Sequence, residues 1–392
     1  MHFDIVVVGG GSTGSAIAYY LTREGAGRVA LVEKSYVGWG MTGRSTAVVR
    51  LHYSTREVAS MALRSWEVLK DMETVVGGPS GFRASGFVIL AGRGDAEGLR
   101  RNVEMHRQLG IDSRLLTPEE LKELVPQINA DGVEIAAYEP ESGFADPVAT
   151  AQSFAKAAQQ MGCTLMEGCE VKSARVSNDR LERLETTRGA LSADVVVNAS
   201  GVWCNRFLDL LGIELPVRIV KEEIVIWNRP MDFSGEHLVV GDLPLNYYMR
   251  PFGATQTYMG SINPDMSRWE KYPEAFNIEE RVGVGTAYRY GEAVSTRFPI
   301  MAQASFAGGW VGLYDVTPDW QPIIGFSRKL TNLFNAVGLS GHGFKLAPAI
   351  GMLSAEIILG KKLINIDHEF FNEVRFEENR LIGRTYQYGV IS

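Results

Sequence analysis

Short unbroken apolar runs alternate with longer stretches of helical period, and this alternation outlines the chain. Phe3 to Val8 is a β-branched apolar run, the pattern of a strand buried on both faces. It leads into Gly9-Gly10-Gly11-Ser12-Thr13-Gly14, after which Ala16, Ile17, Tyr20 and Leu21 mark one side of a helix over 15–23. Gly25 and Gly27 close that helix, and 28–33 reads as a second buried strand. Helical patterns follow over 55–75, 96–109 and 117–124, with a strand over 86–90. The third of these opens on Thr117-Pro118-Glu119-Glu120, an N-cap, a proline at the first helical position and an acidic first turn. A helix is predicted over 147–161, leading through 163–166 and 170–176 into β-rich sequence. Residues 194–199 form another fully apolar strand, ending at Gly201. From Val217 to Gly312 alternating runs such as Ile224-Val225-Ile226-Trp227 predict an antiparallel sheet with one covered face. The pattern then returns to strand (333–337), glycine loop (338–343) and helix (346–359), with Gly360 as the cap.

The return of α/β pattern after each interruption predicts two interleaved lobes. A length of 392 residues suits that division, being long for a single core. With 45% hydrophobic and 22% charged residues the chain reads as an ordinary soluble globular protein. A net charge of −7 disfavours nucleic acid as partner, although a local Arg/Lys cluster can still hold a small anion. Cys163, Cys169 and Cys204 are odd in number and lack ligand spacing, so we expect a reduced compartment and no metal site. The N-terminus has neither a signal-like segment nor an apolar stretch of spanning length, so a cytoplasmic protein is expected.

Gly9-x-Gly11-x-x-Gly14 gains meaning from its setting between a strand and a helix. Gly9 permits the tight turn, Gly11 lets the backbone approach a pyrophosphate, and Gly14 lets helix pack on strand. The helix N-terminus offers free N–H groups to phosphate. Glu33 ends the second strand 19 residues after Gly14, where an acid can accept from a ribose hydroxyl and repels a 2′-phosphate. A nicotinamide domain would continue its strands at once. Here the α/β pattern breaks near residue 80 and returns twice, which suits an extended flavin dinucleotide, FAD, touched by remote segments.

Four further stretches carry a family resemblance: Thr42-Gly43-Arg44-Ser45-Thr46 through Arg50; Asn198-Ala199-Ser200-Gly201-x-Trp203; Gly312-Leu313-Tyr314-Asp315-x-Thr317-Pro318-Asp319; and Gly338-Leu339-Ser340-Gly341-His342-Gly343-Phe344-Lys345. With Val6–Gly14 and Glu33, the chain resembles the D-amino-acid oxidase-like flavoproteins, in the branch of sarcosine oxidase (beta subunit) and dye-linked proline dehydrogenase. The resemblance implies an α/β fold (α+β overall), with a Rossmann-like, glutathione-reductase-type FAD-binding domain over 1–82, 145–216 and 320–392. A mainly antiparallel substrate domain would take 83–144 and 217–319.

It further implies that Ser12, Thr13, Lys34 and 42–46 border the cofactor. Val171 would lie at the adenine end, Ala199–Gly201 and Trp203 on another side, and Gly312 and 341–345 along the flavin edge. There the helix that follows would stabilise negative charge on the reduced ring. Arg50 and Lys345 match the residues that hold the substrate carboxylate in sarcosine oxidases, a fork and a second positive charge. Tyr258 and Tyr314 are candidate pocket residues, each also explicable as packing. His342 reads first as backbone and loop shape and second as the base that deprotonates an amine; His52 is a weaker candidate.

The implied activity is oxidation of a small, carboxylate-bearing secondary amine such as sarcosine or proline, with oxygen or an electron carrier as oxidant. A D-amino-acid, glycine or 2-hydroxy-acid enzyme, or a flavin-carrying subunit of a larger dehydrogenase, is the alternative. Homo- or hetero-oligomers are compatible with either. Gly312 stands where the monomeric enzymes carry a flavin-linking cysteine, and Ala145 where the beta subunits carry a flavin-linking histidine, so dissociable FAD is expected. The segment 261–268 has no lysine matching the oxygen-activating one, and Met259 replaces a pocket tyrosine.

Overall fold

The computed structural model describes residues 1–267, 269–273, 281–383, 385 and 386. Its first sheet runs Ile323–Phe326, Leu333–Val337, Gly189–Asn198, His2–Val8, Val29–Val32, Thr164–Met166. The five strands from Leu333–Val337 onward are parallel, as the apolar runs predict, and Ile323–Phe326 adds an antiparallel edge. Val6 and Val7 are wholly inaccessible because helices cover one face and a second apolar cluster the other. In register, Val8 pairs with both Asn198 and Val32. The turns that follow these three strands, at Gly9, Ala199 and Glu33, therefore meet at one edge of the sheet, where open α/β sheets bind their ligands.

Three helices pack on this sheet. Ser12–Arg23 lies against Pro147–Gln160 and Gly343–Leu359, and Arg56–Lys70 backs the last of these. The crossing is close: a Cβ on Gly351 would stand 2.6 Å from Tyr20 Cδ2 and 2.9 Å from the Ala16 carbonyl carbon.

The second sheet is built around Arg218–Asn228, which pairs along one side with Ser305–Val316 and on the other with Trp269–Glu270 and Gln256–Ser261. It continues through Tyr247–Phe252, Val239–Asp242, Phe87–Ala91, Ile135–Glu139 and Arg114–Leu116. The antiparallel expectation holds except where Val239–Asp242 runs parallel to Phe87–Ala91. Strands from 87–139 thus complete a sheet whose other strands lie beyond residue 217.

Several expected boundaries move. The helix expected over 55–75 ends at Lys70, because Asp71 leaves helical geometry (φ −130°, ψ 39°), and resumes as Met72–Val75. The helices expected to start at Ser15 and Leu346 begin at Ser12 and Gly343. In both, the last residues of the glycine loop already take helical dihedrals, and in the second Phe344 joins the buried core. Within the region read as continuous sheet, Val284–Arg297 is a helix. It ends on the buried Arg297, paired to the buried Asp242 at 2.7 Å, a long-range partner that no local pattern reveals. Residues 274–280 and Arg268 lie outside the described residues.

Candidate active site

One cavity runs from the first glycine turn to the start of the helix Gly343–Leu359. At its near end Gly9 has φ +112°, and a Cβ there would stand 2.4 Å from the Ala199 carbonyl oxygen. A Cβ on Gly14 would meet the Gly9 carbonyl oxygen at 1.9 Å. Both must be glycine for strand, turn and helix to close. The Ser12 N–H donates to Thr42 Oγ1 at 3.0 Å, which ties the helix N-terminus to the 42–46 segment. Thr13 Oγ1 is buried beside it with no hydrogen-bond partner among the described residues. A phosphate oxygen would satisfy this hydroxyl and the N–H groups of the first turn, so the cradle fits the pyrophosphate of FAD.

Glu33 lines the cavity and accepts the Gly10 N–H at 2.7 Å and the Ser35 N–H at 2.9 Å. Two amide bonds fix the carboxylate and leave lone pairs for a ribose hydroxyl. Beyond it Trp39 and Trp203 stack with centroids 5.9 Å apart, and the Lys34 ammonium sits 3.4 Å from the Trp203 ring centre. Burial pushes Lys34 down to about 8, with the Glu33 charge opposing the shift.

Of the residues expected at the cofactor, Gly9, Gly11, Ser12, Thr13, Glu33, Lys34, Thr42, Arg44, Ser45, Thr46, Val171, Ala199, Ser200, Gly201, Trp203, Gly312, Gly341, Gly343, Phe344 and Lys345 all line this one cavity. Gly14 and Gly43 shape it from behind, Gly43 by its approach to the Gly38 carbonyl, where a Cβ would sit at 2.9 Å.

At the far end Arg50, Lys345 and Tyr314 share the lining. Arg50 is 4% and Lys345 7% exposed, so neither is a surface cation. Arg50 Nη1 donates to the His52 carbonyl, and its guanidinium lies 4.1 Å from the Tyr53 ring centre. Lys345 Nζ reaches the Gly341 carbonyl at 3.4 Å, and no carboxylate pairs with it among the described residues. Burial first, and then the Arg50 charge, push its ammonium well below the ordinary lysine range. The helix beginning at Gly343 has no side-chain cap at His342, so its first N–H groups also face this end.

Two candidate residues stand elsewhere. His342 is buried behind the lining, its ring 5.4 Å from that of Tyr53, so its position fits loop shape better than base. Tyr258 stacks on Phe252 at 4.4 Å and meets Trp310 edge-on at 4.9 Å. Of this strand pair, it is Tyr248 on the neighbouring strand that lines the cavity, its hydroxyl 3.0 Å from Thr46 Oγ1. Tyr258 pairs with Arg250 and Tyr248 with Gly260. The two rings share a face but sit one pleat repeat, about 7 Å, apart along the strands.

Sequence reasoning also passed over Glu222, a buried carboxyl in the lining, and a cluster behind Arg50. In that cluster the ligand atoms of His52, His106 and Glu139 lie within 4.8 Å of one another, where no metal ligands were expected. Glu139 Oε2 accepts the Leu51 N–H at 2.9 Å and the Ser142 hydroxyl at 2.7 Å, fixing the backbone next to Arg50. Cys163, Cys169 and Cys204 are free and buried. Among the described residues no helix is long and apolar enough to cross a membrane.

Residues 4–357 match the family described as FAD dependent oxidoreductase. The chain is 29% identical to the beta subunit of sarcosine oxidase from Arthrobacter sp over 388 residues, covering 97% of this chain and 92% of that one. It is also 29% identical to FAD-dependent oxidoreductase domain-containing protein 1 of Bos taurus over 419 residues, 96% of this chain and 85% of that protein. The crystal structure of L-proline dehydrogenase from P. horikoshii superposes with a TM-score of 0.86 at 27% identity, covering 97% of this chain and 99% of that one. Taken with the glycine cradle and the cavity that continues to Lys345, the match over most of its length makes this chain a member of the FAD dependent oxidoreductase family, of mixed α/β fold.

Proposed function

We propose that this protein oxidises a small secondary amino acid, sarcosine- or proline-like, at the carbon next to the amine. The observation that carries this reading is the pair of buried cations, Arg50 and Lys345, at the end of the cavity remote from the glycine cradle. Lys345 has no carboxylate partner among the described residues, and burial beside the Arg50 charge works against its ammonium, a cost that a bound anion reverses. A carboxylate meets that requirement: Arg50 offers a planar fork, Lys345 a further charge, and the helix beginning at Gly343 its free N–H groups. Names of the relatives point the same way, sarcosine for one and L-proline for another.

FAD, when bound, supplies the acceptor for the hydride. The protein's part is orientation: with the carboxylate fixed, the rest of a small substrate would extend along the wall of Tyr248, Tyr314 and Glu222. In this reading 1–82, 145–216 and 320–392 hold FAD, and 83–144 with 217–319 cover the substrate. FAD is dissociable, since Gly312 and Ala145 carry no side chain able to bond it. Steady-state assays over sarcosine, proline, pipecolate, glycine and D-amino acids, with oxygen and with a dye as oxidant, test the substrate class. The expected result is turnover of a secondary amino acid with KM well below that for the corresponding amine lacking the carboxylate. Turnover of 2-hydroxy acids alone would replace this reading. Acid precipitation should leave the yellow colour in the supernatant.

A further inference from the structure

Glu222 stands in the strand Arg218–Asn228, opposite Gly312, and is 3% exposed. It borders the main cavity and also a second one on the far side of the same wall. Its Oε1 accepts the Ser261 N–H at 2.5 Å, while Oε2 has no hydrogen-bond partner among the described residues. No Lys or Arg pairs with it there either. A charged carboxylate in this place needs a cation, and a neutral carboxylic acid needs an acceptor for its proton. Among the described residues neither is supplied, and the cavity is where such a partner can enter.

The neighbourhood says which part of a ligand that is. Tyr314 packs on Gly341, where a Cβ would lie 3.2 Å from its ring, and Gly341 accepts from Lys345. Tyr248 and Tyr314 line the same stretch of wall, and burial, helped by the Glu222 charge, raises both hydroxyls. Glu222 thus lies across the tyrosine pair from the cations, the end of the cavity that a bound carboxylate leaves to the rest of the molecule. We propose that Glu222 is the catalytic residue that recognises the substrate's amine and takes up its proton; this rests on the amino-acid reading above.

The step is a simple exchange. The N–H bond of the ammonium breaks, an O–H bond forms at Oε2, and the nitrogen keeps the electron pair. That pair then assists departure of the hydride from the neighbouring carbon, leaving an iminium. Burial, helped by Glu223 and opposed by the Ser261 N–H, holds Glu222 up to about 8. An ordinary glutamate differs from an alkylammonium by roughly 6 pKa units; Glu222 comes far closer. Moving the proton inside the site is correspondingly easier, and a buried neutral pair avoids two desolvated charges.

The test uses the flavin-loaded protein and two ligands that cannot be oxidised, 2-aminoisobutyrate and pivalate, followed by perturbation of the flavin spectrum. They share shape and carboxylate and differ in the amine. The native protein should prefer the amine ligand by about tenfold or more. Glu222→Gln should cut that preference to about threefold or less with pivalate affinity unchanged. It should also slow anaerobic flavin reduction about 100-fold. Glu222→Ala is the second variant, expected to behave alike. Equal affinities of the two ligands for native protein overturn the proposal without any variant, as does a variant that keeps both preference and rate. If no amino acid reduces the native flavin while the preference still vanishes in Glu222→Gln, amine recognition stands and the oxidation reading falls.

Discussion

Arg50 and Lys345 define what the far end of the cavity can hold, and each is expected to act on binding before chemistry. Arg50→Ala and Lys345→Met should each raise KM about 10- to 100-fold, the loss of a charge-assisted contact. Flavin content should stay native, as a spectrum of each purified variant will show. Behind Arg50, burial pushes Glu139 up from 4.5 to about 7, against the pull of Ser142, the Leu51 N–H and Arg50. A raised acid favours the neutral form in the fold. Its contribution to stability is therefore whole below about pH 4.5, declines as pH rises toward 7, and is level above. Relative to Glu139→Gln, the native protein should lose on the order of 3 kcal/mol across that window, read from melts at several pH values. Arg50 was legible because its spacing from Thr42–Thr46 is part of a motif. Tyr248 was not: which of two tyrosines on one sheet face reaches the cavity depends on strand offset, and Tyr258 has the same local pattern. Glu222 was hidden by its setting, since a Lys-Glu-Glu run in a strand reads as solvent-facing, and only Glu222 of the three is buried.

Helices and strands were read best where their ends carry their own chemistry. The Thr117 side chain accepts the Glu120 N–H and the Glu120 side chain accepts the Thr117 N–H, the reciprocal cap that the four-residue signal predicts. Thr117→Ala should cost about 1 kcal/mol in denaturant unfolding and leave flavin binding unchanged. The first helix depends instead on the absence of a side chain. Gly14→Ala forces a Cβ into the Gly9 carbonyl, so we expect largely flavin-free protein, destabilised by about 1–3 kcal/mol or more. The helix Val284–Arg297 escaped notice because Tyr, Gly and Thr dilute its periodicity, and because it is anchored by Arg297 on Asp242 from another strand. Tertiary anchoring of this kind has no local trace.

Across the whole molecule, the discontinuity of the α/β pattern was the most informative signal. It places Gly9, Ala199 and Lys345 on one cavity although they are nearly the length of the chain apart. What pattern alone left open was the pairing of early and late strands in the second sheet, where Phe87–Ala91 lies beside Val239–Asp242. That pairing puts Phe87, Val239 and Gly241 into the same lining as Tyr248 and Glu222, so the substrate end needs both segments. The central claim is that this cavity joins FAD to a small amino acid held by its carboxylate. Anaerobic mixing of the flavin-loaded protein with sarcosine, proline, pipecolate, glycine and D-amino acids tests it most directly. The account predicts that at least one secondary amino acid bleaches the visible flavin band, and that Arg50→Ala is not bleached at the same concentration. A flavin that stays oxidised with every one of them would contradict it.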